Sequence, residues 1–172
     1  MLPEEIKNLI GRSTPAKTYE VEKGAIRRFA DAVGDSNPLY YDEAYARNSR
    51  YGTIITPPGF FGWPRKQDKN SAITIDIPPE LITVLEQAGY PLSSVVDGGI
   101  EYEFFLPIRA GNTLTATTTI RNIRERAGSS TNLVFIILET VYVNQSGNPV
   151  ATAQVTAILR SINQQQKEHT NA

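Results

Sequence analysis

Apolar residues recur at Ile26, Phe29, Ala30 and Val33, with Arg27, Arg28 and Asp31 between them. That i, i+3, i+4, i+7 spacing predicts a short amphipathic helix. Gly34 stands where a left-handed C-terminal cap belongs, and Pro38 prevents any continuation, so Asp35, Ser36 and Asn37 are predicted in a tight turn directly beyond the helix. Asp42 reads as the N-cap of a second short helix running through Ala44 to Arg47. A third helix is predicted over Pro79 to Ala88, where Leu81, Leu85 and Ala88 share a face and Gly89 and Pro91 are stop signals.

From Gly99 onward the period changes to two. Leu114, Ala116, Thr118 and Ile120 alternate with Thr113, Thr115, Thr117 and Thr119, the pattern of a half-buried strand. Leu133 to Val143 is apolar on both faces, as a central strand should be. Asn144 to Asn148 reads as a hairpin loop into Val150 to Arg160, whose Ala151, Ala153, Val155, Ala157 and Leu159 are predicted to face inward. Thr18 to Val21 and Ile100 to Leu106 complete a set of about five strands, and the short connections among the last four favour an antiparallel sheet. Glu101 and Glu103 alternate with apolar neighbours, which suits an edge or structural role rather than catalysis. Helices gathered early and strands gathered late define an α+β chain.

Composition narrows the chemistry. A chain of 172 residues suits one domain, read here as 1–162 with a polar tail over 163–172. Lys and Arg number 17 against 18 Asp and Glu, so the formal charge of −1 gives no electrostatic reason to expect nucleic acid or an anionic membrane as partner. The absence of cysteine excludes disulfides, thiolate metal sites and cysteine nucleophiles, and it suits a reducing compartment such as the cytoplasm. The first ten residues include Glu4 and Glu5 and no long apolar run, unlike a signal peptide or a membrane span. No His/Cys cluster, nucleophile elbow, P-loop or dinucleotide fingerprint is present, and neither metal nor cofactor is expected.

Three stretches remain as candidate chemistry: Gly34-Asp35-Ser36-Asn37-Pro38-Leu39-Tyr40, Thr56-Pro57-Pro58-Gly59-Phe60-Phe61-Gly62-Trp63, and Pro107 to Leu114. Each has an ordinary reading as well. Asp-Ser-Asn-Pro makes a common turn in which Asp35 or Asn37 accepts backbone N–H bonds. Tyr40, Tyr41, Phe60, Phe61 and Trp63 suit plain packing, and Arg65, Lys66 and Lys69 suit a solvated loop.

Taken together, these stretches make the chain from about Ile10 to Arg160 resemble the MaoC-like dehydratases, and in particular their N-terminal halves, which are similar to the dehydratase domain of fungal fatty acid synthases. The resemblance implies a hot-dog fold, a curved antiparallel sheet wrapped round one long helix. It implies that Asp35 is the acid/base, that Asn37 orients it, and that a backbone group near Pro58, Gly59 and Phe60 polarises a thioester carbonyl. It also implies that Phe60, Phe61 and Trp63 line an acyl tunnel and that Arg65, Lys66 and Lys69 meet coenzyme A phosphates. Tyr40 stands where the family's histidine belongs, and the single histidine of the chain, His169, lies in the polar tail. A phenol with an ordinary pKa of about 10 is a poor base at neutral pH, although it donates a hydrogen bond well. The implied role is a hot-dog subunit of an enoyl-CoA hydratase or 3-hydroxyacyl thioester dehydratase. It would act on an acyl-CoA or acyl-carrier thioester beside a His-bearing MaoC-like subunit, or as a self-dimer. The alternatives are a non-catalytic acyl-CoA-binding subunit and a hot-dog acyl-CoA thioesterase.

Overall fold

The computed structural model describes residues 2–61, 77–128 and 131–161. Helix α1 (Glu4–Lys7) precedes strand β1 (Lys17–Glu20), then α2 (Lys23–Val33), a 3-10 turn (Pro38–Tyr40) and α3 (Glu43–Asn48). After α4 (Pro79–Gln87) come β2 (Val96–Phe104), β3 (Thr113–Ala127), β4 (Asn132–Asn144) and β5 (Pro149–Arg160). The strands form one sheet in the order β1-β3-β4-β5-β2, and every pairing is antiparallel. Although β2 and β3 are consecutive in the chain, β4 and β5 lie between them.

The period-two pattern of β3 settles which face is covered. Leu114, Ala116, Thr118 and Ile120 are buried while the intervening threonines are half-exposed. Burial divides into two clusters. In one, Leu81 and Leu85 of α4 pack with Ile6 against Ile120, Val134, Ile136, Leu138 and Leu159. In the other, Ala25, Ile26 and Ala30 of α2 join Tyr40, Ile54, Phe60, Phe61 and Ile108 over Leu114, Val150 and Ala151.

Two expectations change in detail. Val33 is 57% exposed, and Ala25 joins Ile26 and Ala30 on the buried face in its place. The helix meets the core through its first two turns, and its last turn projects outward with the Asp35 segment. On β4, Val134, Ile136 and Leu138 are fully covered while Leu133, Phe135 and Ile137 are only half-buried, because the helices pack on one face of the sheet.

At the α4 end, the Tyr90 hydroxyl donates to Glu125 Oε1 at 2.8 Å, and Asn132 Nδ2 donates to the same oxygen at 3.1 Å. Burial first, and then the bond to Glu125, pushes the Tyr90 phenol up to about 12. The folded state therefore favours the neutral phenol. Its contribution is fully present below the unfolded value of about 10 and is lost as pH rises through the folded value. Urea titrations between pH 10 and about 12 should show unfolding free energy falling in the wild type and falling less steeply in Tyr90→Phe.

Candidate functional site

The Asp35 turn is built by its own sequence. Gly34 adopts φ 70°, a conformation that costs a residue with a Cβ about 1 kcal/mol or more, and the Asp35 N–H returns to the Ala30 carbonyl at 2.9 Å. Asp35 Oδ1 then accepts from the Asn37 backbone N–H at 3.0 Å. Asn37 Oδ1 accepts from the Leu39 N–H at 3.1 Å, capping the 3-10 turn that contains Tyr40. Asn37 thus steadies Asp35 through its backbone, while its side chain serves the next turn.

Sequence reasoning placed Tyr41 only as packing, yet it braces this turn. Its hydroxyl lies 2.9 Å from Asp31 Oδ1 and 3.1 Å from the Asp35 carbonyl oxygen, positioned to donate its proton to either. Arg27 donates to the Tyr41 carbonyl at 2.7 Å. Asp35 itself stays partly exposed, whereas Tyr40 is buried. Burial raises the Tyr40 pKa, and the negative charge of Asp35 and then the neighbouring Tyr51 raise it further. The phenol therefore keeps its proton at neutral pH and can donate a hydrogen bond, but it does not serve as a base there.

A groove of about 360 Å³ opens between Tyr51 to Pro58 on one side and Phe104 to Ile108 on the other. Its walls are stitched by Thr56 N–H to the Ile108 carbonyl at 2.9 Å and Ala110 N–H to the Ile54 carbonyl at 3.0 Å. The Ile55 N–H reaches the Leu39 carbonyl at 3.4 Å, which ties the groove to the Asp35 turn. The third sequence stretch serves as a turn: the Arg109 N–H donates to Asn112 Oδ1 at 2.8 Å.

Among the predicted site residues Pro58 lines the groove; Asp35, Asn37 and Tyr40 do not, although Tyr40 lies near enough to both Asp35 and the groove residue Tyr51 for each to raise its pKa. Gly59, at φ 85°, lies next to the Tyr102 ring, and among the described residues its N–H has no acceptor. The Phe60 N–H, by contrast, is spent on the Pro57 carbonyl at 3.1 Å. Phe60 does not reach the groove; it is fully buried with its ring 5.2 Å from that of Phe29. Phe61 instead faces the aromatic residues of the sheet, 4.3 Å from Tyr142 and 5.3 Å from Tyr102. Trp63, Arg65, Lys66 and Lys69 lie outside the described residues. Sequence reading also missed Tyr51, Phe104, Phe105 and Leu106 as groove residues. The apolar run at Phe104 to Leu106 was the available signal, but nothing local says what it faces. Among the described residues no group of acidic or histidine side chains could hold a metal, and no helix is long and apolar enough to cross a membrane.

Residues 8–153 match the family model described as FAS1-like, dehydratase domain region. A UPF0336 protein of Streptomyces avermitilis is 35% identical over 156 residues, which span 90% of this chain and 95% of that protein. A chain in the crystal structure of the ChsH1-ChsH2 complex from Mycobacterium tuberculosis aligns with a TM-score of 0.73 at 18% identity, covering 94% of this chain and 96% of that one. The MaoC-like dehydratase from Rhodospirillum rubrum aligns with a TM-score of 0.58 at 22% identity, covering 90% and 94%. The antiparallel sheet with α4 on its covered face is the hot-dog fold.

Proposed function

Because the chain belongs to the FAS1-like dehydratase domain region family, we propose that it is one hot-dog subunit of an enoyl-CoA hydratase or 3-hydroxyacyl thioester dehydratase. The observation that supports this reading is a turn that holds Asp35 Oδ1 on the Asn37 N–H, beside a buried, protonated Tyr40 where the resemblance puts an imidazole. In hydration, a base takes a proton from water as its oxygen bonds to C3 of the enoyl thioester. The electron pair of the double bond moves toward the thioester oxygen, and C2 then takes up a proton. The first step needs a base titrating near neutral pH, and the second needs a donor already aimed at the oxygen. Tyr40 cannot be that base, so the imidazole comes from a His-bearing MaoC-like partner. The ChsH1-ChsH2 likeness, drawn from a two-protein complex, supports such pairing.

In this proposal Asp35 and Tyr40 hold water or the thioester by hydrogen bonds, and the Gly59 N–H is the donor to the thioester oxygen. Tyr51, Pro58 and Phe104 to Leu106 shape the acyl passage, joined by Trp63, while Arg65 and Lys66 meet the carrier's phosphates. The dehydratase unit is taken as residues 1–162, acting in the cytoplasm without a cofactor. Tyr40's protonated state also favours the second reading, in which the chain only shapes the passage and the partner does all the chemistry.

The test is turnover of a trans-2-enoyl-CoA by the chain co-purified with a MaoC-like subunit that carries the complete G-D-x-N-P-x-H motif. Asp35→Asn should leave the rate within about tenfold, since a lost general base costs about a hundredfold or more. A larger loss would make Asp35 the base, and release of free thiol in place of hydration would make the protein a thioesterase.

A further inference from the structure

Three near-parallel rings run across the covered face of the sheet. Tyr142 on β4 and Phe104 on β2 are both set opposite Ala151 of the intervening β5, so two strand spacings, about 10 Å, separate them. Ala151 is fully buried and too small to fill that gap. The Phe61 ring fills it, 4.3 Å from Tyr142 at an interplanar angle of 10° and 5.9 Å from Phe104 at 8°. Offset stacking of this kind is an arrangement that the ring quadrupole favours. Tyr142, Phe61 and Phe104 thus form a ladder, and Phe104 is its last rung. That ring is 46% exposed, on a strand with none beyond it among the described residues, and it stands in the wall of the groove.

No charged side chain lines the groove, so it suits an apolar group. Apolar character alone does not separate a flexible chain from a ring, but the ladder does. A ring laid on the open face of Phe104 gains stacking beyond its buried area and has few rotors to immobilise. A chain of equal apolar area gains burial alone and loses more freedom. Position agrees with this choice. The Tyr102 ring lies 5.9 Å from that of Phe104, and a Cβ on Gly59 would come within 3.7 Å of it. Gly59 is the donor assigned above to the thioester oxygen, so a ring carried on C3 of the acyl group reaches Phe104 just beyond Tyr102.

We propose that the passage selects acyl thioesters with an aryl ring on C3, which stacks on Phe104 as the next rung. This rests on the thioester reading above and names its substrate class. The probes are phenylpropanoyl-CoA and heptanoyl-CoA, saturated thioesters of comparable apolar surface that cannot be hydrated, titrated by calorimetry into the co-purified pair. Phenylpropanoyl-CoA should bind about three- to tenfold more tightly, the scale of one stacked ring pair. Phe104→Leu, which keeps an apolar side chain without a ring, should bring that ratio to about one, and Phe104→Tyr, which keeps the ring, should preserve it. Equal binding of the two thioesters by the wild type overturns the proposal, as does a preference that survives Phe104→Leu. Hydration of trans-2-heptenoyl-CoA by the same pair tests the functional reading separately, because the saturated thioesters report stacking whether or not any turnover occurs.

Discussion

Purified without a partner, the chain is expected to hydrate a trans-2-enoyl-CoA no faster than buffer, and Tyr40→His is expected to raise that rate by about a hundredfold or more, the usual scale of a positioned general base. The expectation follows from two features of one turn. The Asp35 carboxylate is already held, through Oδ1 and the Asn37 N–H, by a bond that does not involve the residue at position 40. Position 40 is buried, close enough to Asp35 for the carboxylate's charge to raise the phenol's pKa. The same carboxylate beside an imidazole would favour its protonated form and set its orientation, so activity should rise with pH through a transition displaced upward from the ordinary histidine value of about 6.5. A thermal melt of the variant separates a misfolded turn from an inactive one. Brisk hydration by the wild-type chain alone, abolished by both Asp35→Asn and Tyr40→Phe, would show that a carboxylate and a phenol suffice and that no partner imidazole is needed.

The largest stability effect should come from the helix that the sheet covers. Leu85 is fully buried on α4 among Ile120, Val134, Ile136 and Leu138, so Leu85→Ala removes buried methyl groups where the rigid sheet cannot collapse into the space. A loss of about 2–5 kcal/mol is expected in urea unfolding. Val33→Ala is the matched control. Periodicity alone gives Val33 the same inward standing, but its exposure predicts a change within about 0.5 kcal/mol. Equal losses at the two positions would mean that α2 packs through a different face.

The sequence by itself determined most of what depends on near neighbours. The existence of α2, the Gly34 stop, the Asp35 turn and the Asp42 cap are decided within a few residues, although which end of α2 meets the core is not, and Asp42 indeed accepts from the Ala44 and Tyr45 N–H groups. The alternation of leucine, alanine and threonine along β3 was equally legible, since a strand's two faces are written in period two. So was the missing imidazole, because composition alone limits the chain to one histidine.

Only the tertiary structure decided what distant segments do to one another. Nothing local says that β2 pairs with β5 rather than with β3, which follows it in the chain, and that choice leaves Ile100, Tyr102 and Phe104 on an open edge. Nor does local pattern say that the apolar outer side of β4 is left half-covered, or that Phe60 turns inward to Phe29 while Phe104 to Leu106 face the loop from Tyr51 to Pro58. The physical reason is that hydrophobicity specifies that a side chain be removed from water but not by which partner. The partner is chosen by how the strands order themselves and by which face the helices cover.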